Sequence, residues 1–68
     1  MYIDVKILSG VYSGLTGKIT SITEKYIFVL IIIGTNGTPT VLFDKENAYE
    51  TLKILEDIKL EDLLKNYE

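Results

Sequence analysis

The sequence predicts a mainly β domain, a small five-stranded barrel followed by one short C-terminal α-helix. Three observations predict it. Short stretches of alternating or β-branched apolar residues recur through residues 2–55, each about the length of a strand. Turn-forming residues separate them at short intervals. The period becomes helical only at the end, where Leu60, Leu63, Leu64 and Tyr67 fall at i, i+3, i+4 and i+7.

The first predicted strand runs from Tyr2 to Leu8, with Ile3, Val5 and Ile7 on one face. It stops at Ser9-Gly10, and a loop passes through Val11, Tyr12, Ser13 and Gly14. A second strand covers Leu15 to Thr23, where Gly17 suggests a bulge or sharp bend. Glu24-Lys25 turns the chain into a third strand, Tyr26 to Ile33.

Asn36-Gly37 is the clearest local signal, because both residues accept the positive φ of a type I′ hairpin. Centring the turn there pairs Ile33 with Thr40, Ile32 with Val41 and Leu30 with Phe43. Directly opposed residues share a sheet face, so Phe28, Leu30, Ile32, Val41 and Phe43 are expected to line the interior. Val29, Ile31, Ile33 and Leu42 are then expected to form an apolar patch outside. Asp44 to Asn47 is turn-like, and Ala48 to Leu55 is read as the fifth strand. Residues 1–55 therefore form the barrel and residues 56–68 an acidic helical tail.

In that tail Glu61 and Asp62 sit in the helix's first turn and Lys65 in its last, each matching the helix dipole. So short a helix needs a docking surface. The outer patch is the expected one, within one chain or across a homodimer, and the sequence leaves that choice open.

Composition narrows the chemistry. With 68 residues there is one core, and 47% hydrophobic content has to hold it together. Cysteine and histidine are absent, which removes disulfides, thiolate metal sites and the commonest general base. No cofactor or metal is expected. Ser9 and Ser13 have no histidine to activate them. Asp44, Glu46 and Asp4 are the available carboxylates, and beside Lys45 and Asn47 they read as solvated charge rather than an acid–base pair. The spacing of Gly10, Gly14 and Gly17 is not followed by the Gly-Lys-Ser/Thr of a phosphate loop. The expectation is a chain that is not an enzyme.

All seven basic residues are lysines, and the net charge is −3. Residues 1–54 are balanced, and residues 55–68 carry the entire acidic excess. That distribution is not the footprint of a phosphate-backbone binder. The longest apolar run, Tyr26 to Ile33, is too short for a spanning helix, and the N-terminus alternates rather than forming a leader's apolar stretch. A cytoplasmic location without membrane contact is expected.

The segment from Val5 to Ile19 resembles a KOW motif, in which a strand, a glycine-containing loop and a second strand form part of an SH3-like barrel. Gly10, Gly14 and Gly17 match its glycines and Ile19 its inward apolar position. The resemblance implies an SH3-like barrel, with Val41 to Phe43 and Tyr49 to Ile54 as later strands. It also implies partner binding, in some members to RNA. Here the loop offers Val11, Tyr12 and Ser13 with only Lys6 and Lys18 nearby, fewer cations than RNA-binding members carry. The arginine-free, lysine- and isoleucine-rich usage is similar to that of small accessory proteins of mobile, conjugative-transposon-like elements in low-GC bacteria.

Two functions follow as expectations. The first is an accessory protein-interaction module using Tyr12, Tyr49 and the outer patch, with the protein partner unidentified. The alternative is a weak binder of RNA or single-stranded nucleic acid through Tyr12, Lys18, Lys25 and Tyr26, where aromatics interleave with lysines. The acidic balance disfavours the alternative.

Overall fold

A computed structural model describes residues 2–32 and 38–65. Five antiparallel strands form one sheet: β1 (Ile3–Ile7), β2 (Thr16–Ile22), β3 (Tyr26–Ile31), β4 (Thr40–Asp44) and β5 (Leu52–Ile54). Their order is β4-β3-β2-β1-β5, so the first four meander and the fifth returns to pair with β1. The sheet curls into a half-barrel, an arrangement compatible with an SH3-like fold. Among the described residues, no helix is long and apolar enough to cross a membrane.

The core lies on the concave face. Val5 and Ile7 of β1, Ile19 and Ile22 of β2, Ile27, Val29 and Ile31 of β3, and Leu52 of β5 are buried together. Val41, Phe43 and Ile54 pack against them from β4 and β5. In β2 the register slips by one residue between Ile19 and Ser21, a bulge. The extra residue lets Ile19 and Ile22 both face inward despite their odd spacing.

Gly17 lies at the middle of this arrangement, opposite Val5 on one side and Ile31 on the other. The sequence suggested a bulge or bend there, but the bulge falls further along and Gly17 serves a close approach. A Cβ at Gly17 would lie 2.7 Å from the Leu30 carbonyl oxygen and 2.9 Å from Val29 Cγ1. Gly10 and Gly14 have a different role: both hold φ at +90° in the β1–β2 loop. The loop closes where the Gly14 N–H donates to the Ile7 carbonyl at 2.8 Å and the Ile7 N–H to the Leu15 carbonyl at 2.9 Å.

The β3–β4 register corrects the expected interior. Val29 pairs with Val41 and Ile27 with Phe43, a three-residue displacement from the pairing that a two-residue turn at Asn36-Gly37 would impose. An odd displacement turns a strand over. Val41 and Phe43 therefore face inward as expected, whereas Ile27, Val29 and Ile31 take the places assigned to Phe28, Leu30 and Ile32. Val29 and Ile31, expected on an outer patch, are both 0% exposed. The Ile31 N–H donates to the Pro39 carbonyl at 2.9 Å, which carries the same register to Pro39. Ile33, Asn36 and Gly37 lie outside the described residues.

A second correction concerns Ala48 to Leu55. Its first half is helical: a 3-10 turn at Lys45–Asn47 leads into a single turn, α1 (Ala48–Thr51), before β5 begins. Ala48 is wholly buried, and the Thr51 hydroxyl donates back to the Asn47 carbonyl at 3.0 Å. Alternation over Tyr49 to Ile54 could not separate one helical turn from an extended start, since four residues span barely one period.

The tail helix, α2 (Leu60–Lys65), docks on its own chain. Leu63 is 2% exposed and belongs to the core, with Leu60 and Leu64 packed beside it. It covers the concave core rather than the outer surface. The approach to it is pinned to β1: the Leu55 N–H donates to the Asp4 carbonyl at 2.9 Å, and the Asp4 N–H donates to Glu56 Oε2 at 2.6 Å.

Candidate interaction surface

Once the interior is assigned, the convex face follows by alternation. On β3 it carries Phe28, Leu30 and Ile32, the last just beyond the strand's end, where its N–H donates to the Thr16 carbonyl at 3.2 Å. On β4 it carries Thr40, Leu42 and Asp44. Cross-strand pairing arranges these in rows, Leu42 beside Phe28 beside Ser21, then Thr40 beside Leu30 beside Lys18. Phe28 and Leu30 are half-buried, while Leu42 and Ile32 are 50% and 45% exposed. An outer apolar surface on β3 and β4 therefore exists as the sequence suggested, but of its expected members within the described residues, Val29, Ile31 and Leu42, only Leu42 is there.

The surface ends where β2 and β1 turn polar. Lys18 pairs with Asp4, Nζ to Oδ1 at 2.9 Å, both side chains on the convex face. The hydrogen bond to Asp4, and then its charge, hold the Lys18 ammonium above its ordinary value of 10.5. Lys18 is thus already matched by a carboxylate, which weakens it as a phosphate anchor.

At the Asp44 end, a cleft of about 380 Å³ is lined by Glu24, Lys25, Tyr26, Asp44, Lys45 and Glu46. The tight β2–β3 turn builds one wall of it. The Thr23 N–H donates to the Tyr26 carbonyl at 2.8 Å, and the Tyr26 N–H donates to the Thr23 hydroxyl at 3.1 Å. The cleft brings together Lys25 and Tyr26 with the carboxylates Asp44 and Glu46. Its formal balance is three carboxylates to two ammonium groups.

The remaining candidates are placed elsewhere. Tyr12, in the β1–β2 loop, is half-buried and packs against the core, so much of its ring serves structure. Tyr49 stands 60% exposed on α1. That turn adjoins the loop through the Leu8 N–H, which donates to the Thr51 carbonyl at 2.8 Å. Among the described residues, no group of three or more acidic side chains is placed to hold a metal ion.

The residues missed outside were Phe28, Leu30 and Ile32, and the sequence carries only part of the signal for them. Counting outward from a two-residue turn at Glu24-Lys25 pairs Ile22 with Ile27 and Ser21 with Phe28, as observed. Continued unbroken, however, that count would pair Lys18 with Ile31, and only the bulge between Ile19 and Ser21 brings Lys18 opposite Leu30 and onto the same face as Ser21. Compared with known proteins, the chain matches no family model, no curated protein and no solved structure.

Proposed function

We propose that the chain is a non-enzymatic SH3-like, KOW-type module, an accessory factor that presents the convex surface of β3 and β4 to a protein partner. One observation carries this reading: Phe28, Leu30, Ile32 and Leu42 form an apolar surface outside the core, and among the described residues no element packs over it. Contiguous apolar surface on a small domain marks an interface. Among the described residues, the tail helix packs on the concave side and not over this surface.

A nucleic-acid role would require cations along a groove. The aromatic–lysine pair Lys25-Tyr26 instead shares its cleft with three carboxylates, and Lys18 is paired with Asp4. Both arrangements oppose a phosphate backbone.

Two measurements test the reading. A photoreactive residue replacing Ile32 is expected to give a discrete protein adduct in cells expressing the chain. The same residue replacing Val11, in the β1–β2 loop, is expected to give none of that adduct. Adducts with RNA alone, or no adduct from position 32, would overturn it. In amide NMR titrations at physiological salt, single-stranded RNA and DNA are expected to produce no saturable shifts. Tight, salt-sensitive shifts centred on Tyr12, Lys18 and Lys25 would favour the nucleic-acid reading instead.

A further inference from the structure

The convex surface is bordered by a strand edge, and the hydrogen-bond pattern shows which backbone groups that edge offers. The Ile31 N–H donates to the Pro39 carbonyl, and the Lys45 N–H donates to the Lys25 carbonyl at 2.8 Å. In an antiparallel ladder, residues that turn their amides toward the neighbour alternate with residues that turn them away. Positions 39, 41, 43 and 45 face β3, so Thr40, Leu42 and Asp44 direct their N–H and C=O groups outward. β4 ends the strand order, and among the described residues nothing pairs with that side. The side chains of the same three residues are exposed on the convex face. A strand laid along this edge would gain backbone hydrogen bonds at Thr40, Leu42 and Asp44 while its alternate side chains continued the apolar surface.

The side chains along the edge specify its occupant. Leu42 calls for an apolar neighbour in the adjoining strand. Asp44, two positions on, stands at the cleft where Glu24, Asp44 and Glu46 outnumber Lys25 and Lys45 by one charge, and that excess favours a cation in the adjoining strand. A second copy of this chain fits less well. Pairing two β4 strands about a two-fold axis at Leu42 sets Asp44 against Thr40 and supplies no countercharge, and each copy carries −3.

Resting on the interaction reading above, we infer that the β4 edge accepts an extended segment of a partner protein in which an aliphatic residue and a lysine or arginine stand two positions apart. The backbone supplies the attachment. Leu42 and Asp44 supply the selectivity.

The probe is a capped peptide, acetyl-Thr-Lys-Thr-Ile-Thr-amide, which in the antiparallel sense sets its isoleucine beside Leu42 and its lysine beside Asp44, titrated into the isotope-labelled full chain. Saturable shifts are expected at the amides of Thr40, Leu42 and Asp44. Replacing the peptide's lysine with glutamate is expected to weaken binding about fivefold, the scale of reversing one cross-strand charge pair. N-methylating the peptide amides that face the edge is expected to abolish binding. The exposed variant Asp44→Lys, whose fold is checked by its amide spectrum, is expected to reverse the preference so that the glutamate peptide binds better. A preference unchanged in Asp44→Lys, binding indifferent to N-methylation, or shifts confined to other surfaces would overturn the inference. So would edge shifts that depend on protein concentration alone with a doubled mass, since the occupant would then be a second copy. If the peptide fails while position 32 still yields its protein adduct, the edge proposal falls and the interaction reading stands. If neither occurs, both fall.

Discussion

The two faces of β3 are built from nearly the same residues and have opposite fates. Ile27, Val29 and Ile31 are wholly buried. Phe28, Leu30 and Ile32 alternate with them, equally apolar, and lie on the convex side outside the core cluster. Hydropathy does not separate the two sets. What separates them is the company each keeps: Gly17, Ile19, Ile22, Val41 and Phe43 on one side, and Thr16, Lys18, Ser21, Thr40 and Leu42 on the other. In a strand apolar on both faces, the neighbours' polarity decides which face is inside, and the remaining apolar face becomes available for binding.

The strongest test of this contrast removes the lid from the concave side. Truncation after Leu55 deletes Leu60, Leu63 and Leu64, and at about 1.5–3 kcal/mol per fully buried side chain the loss is roughly 5 kcal/mol. For a domain this small, circular dichroism is expected to show a chain largely unfolded at room temperature. A truncated chain with unchanged denaturation would mean that the concave side needs no cover.

One substitution at two neighbouring residues sharpens the comparison. Ile31→Thr leaves a buried hydroxyl and a partial cavity and is expected to cost about 2–4 kcal/mol. Ile32→Thr lies on the half-exposed side and is expected to change stability by less than about 0.5 kcal/mol. Urea denaturation measures both. Similar losses at the two positions would erase the distinction between the faces.

Gly17→Ala probes the closest approach between β2 and β3. Its Cβ would meet a backbone carbonyl that cannot rotate away, so an overpacking loss of about 1–3 kcal/mol is expected. Gly10→Ala meets no neighbour within 4 Å and retains only the strain of positive φ, about 1 kcal/mol. The order of the two denaturation midpoints checks the assignment.

The smallest effect belongs to the polar border of the convex face. The pKa of Lys18 is raised in the folded chain by its bond to Asp4. A raised lysine value means stabilisation that is complete below 10.5 and is lost as pH climbs through the higher folded value. Lys18→Met is therefore expected to remove a small part of the alkaline loss of stability in that window. With both side chains about half exposed, the pair contributes little at neutral pH.

Much of this was legible in order along the chain. Alternation located the first three strands within one or two residues. Val41 and Phe43 were correctly placed inside, since Thr40, Leu42 and Asp44 included polar partners to break the symmetry. The leucine stripe identified a helix that had to dock. The candidate surface was half legible: an apolar exterior on the third and fourth strands was anticipated, but with Val29 and Ile31 in place of Phe28, Leu30 and Ile32. The Asn36-Gly37 count gives the wrong face for β3, and the Glu24-Lys25 count gives the right one only once the bulge between Ile19 and Ser21 is included. Ala48–Thr51 was misread because one turn of helix is too short to display a period.

By itself, then, the chain's residue pattern determined a small, mainly β fold with a docked C-terminal helix, because alternation and the helical stripe are local and cheap to satisfy in only one way. Tertiary structure alone decided the inward face of β3, the concave destination of α2 and the place of β4 at the end of the strand order. Each depends on which strand lies beside which, and in what register, and a segment apolar on both sides has no local energy difference with which to choose.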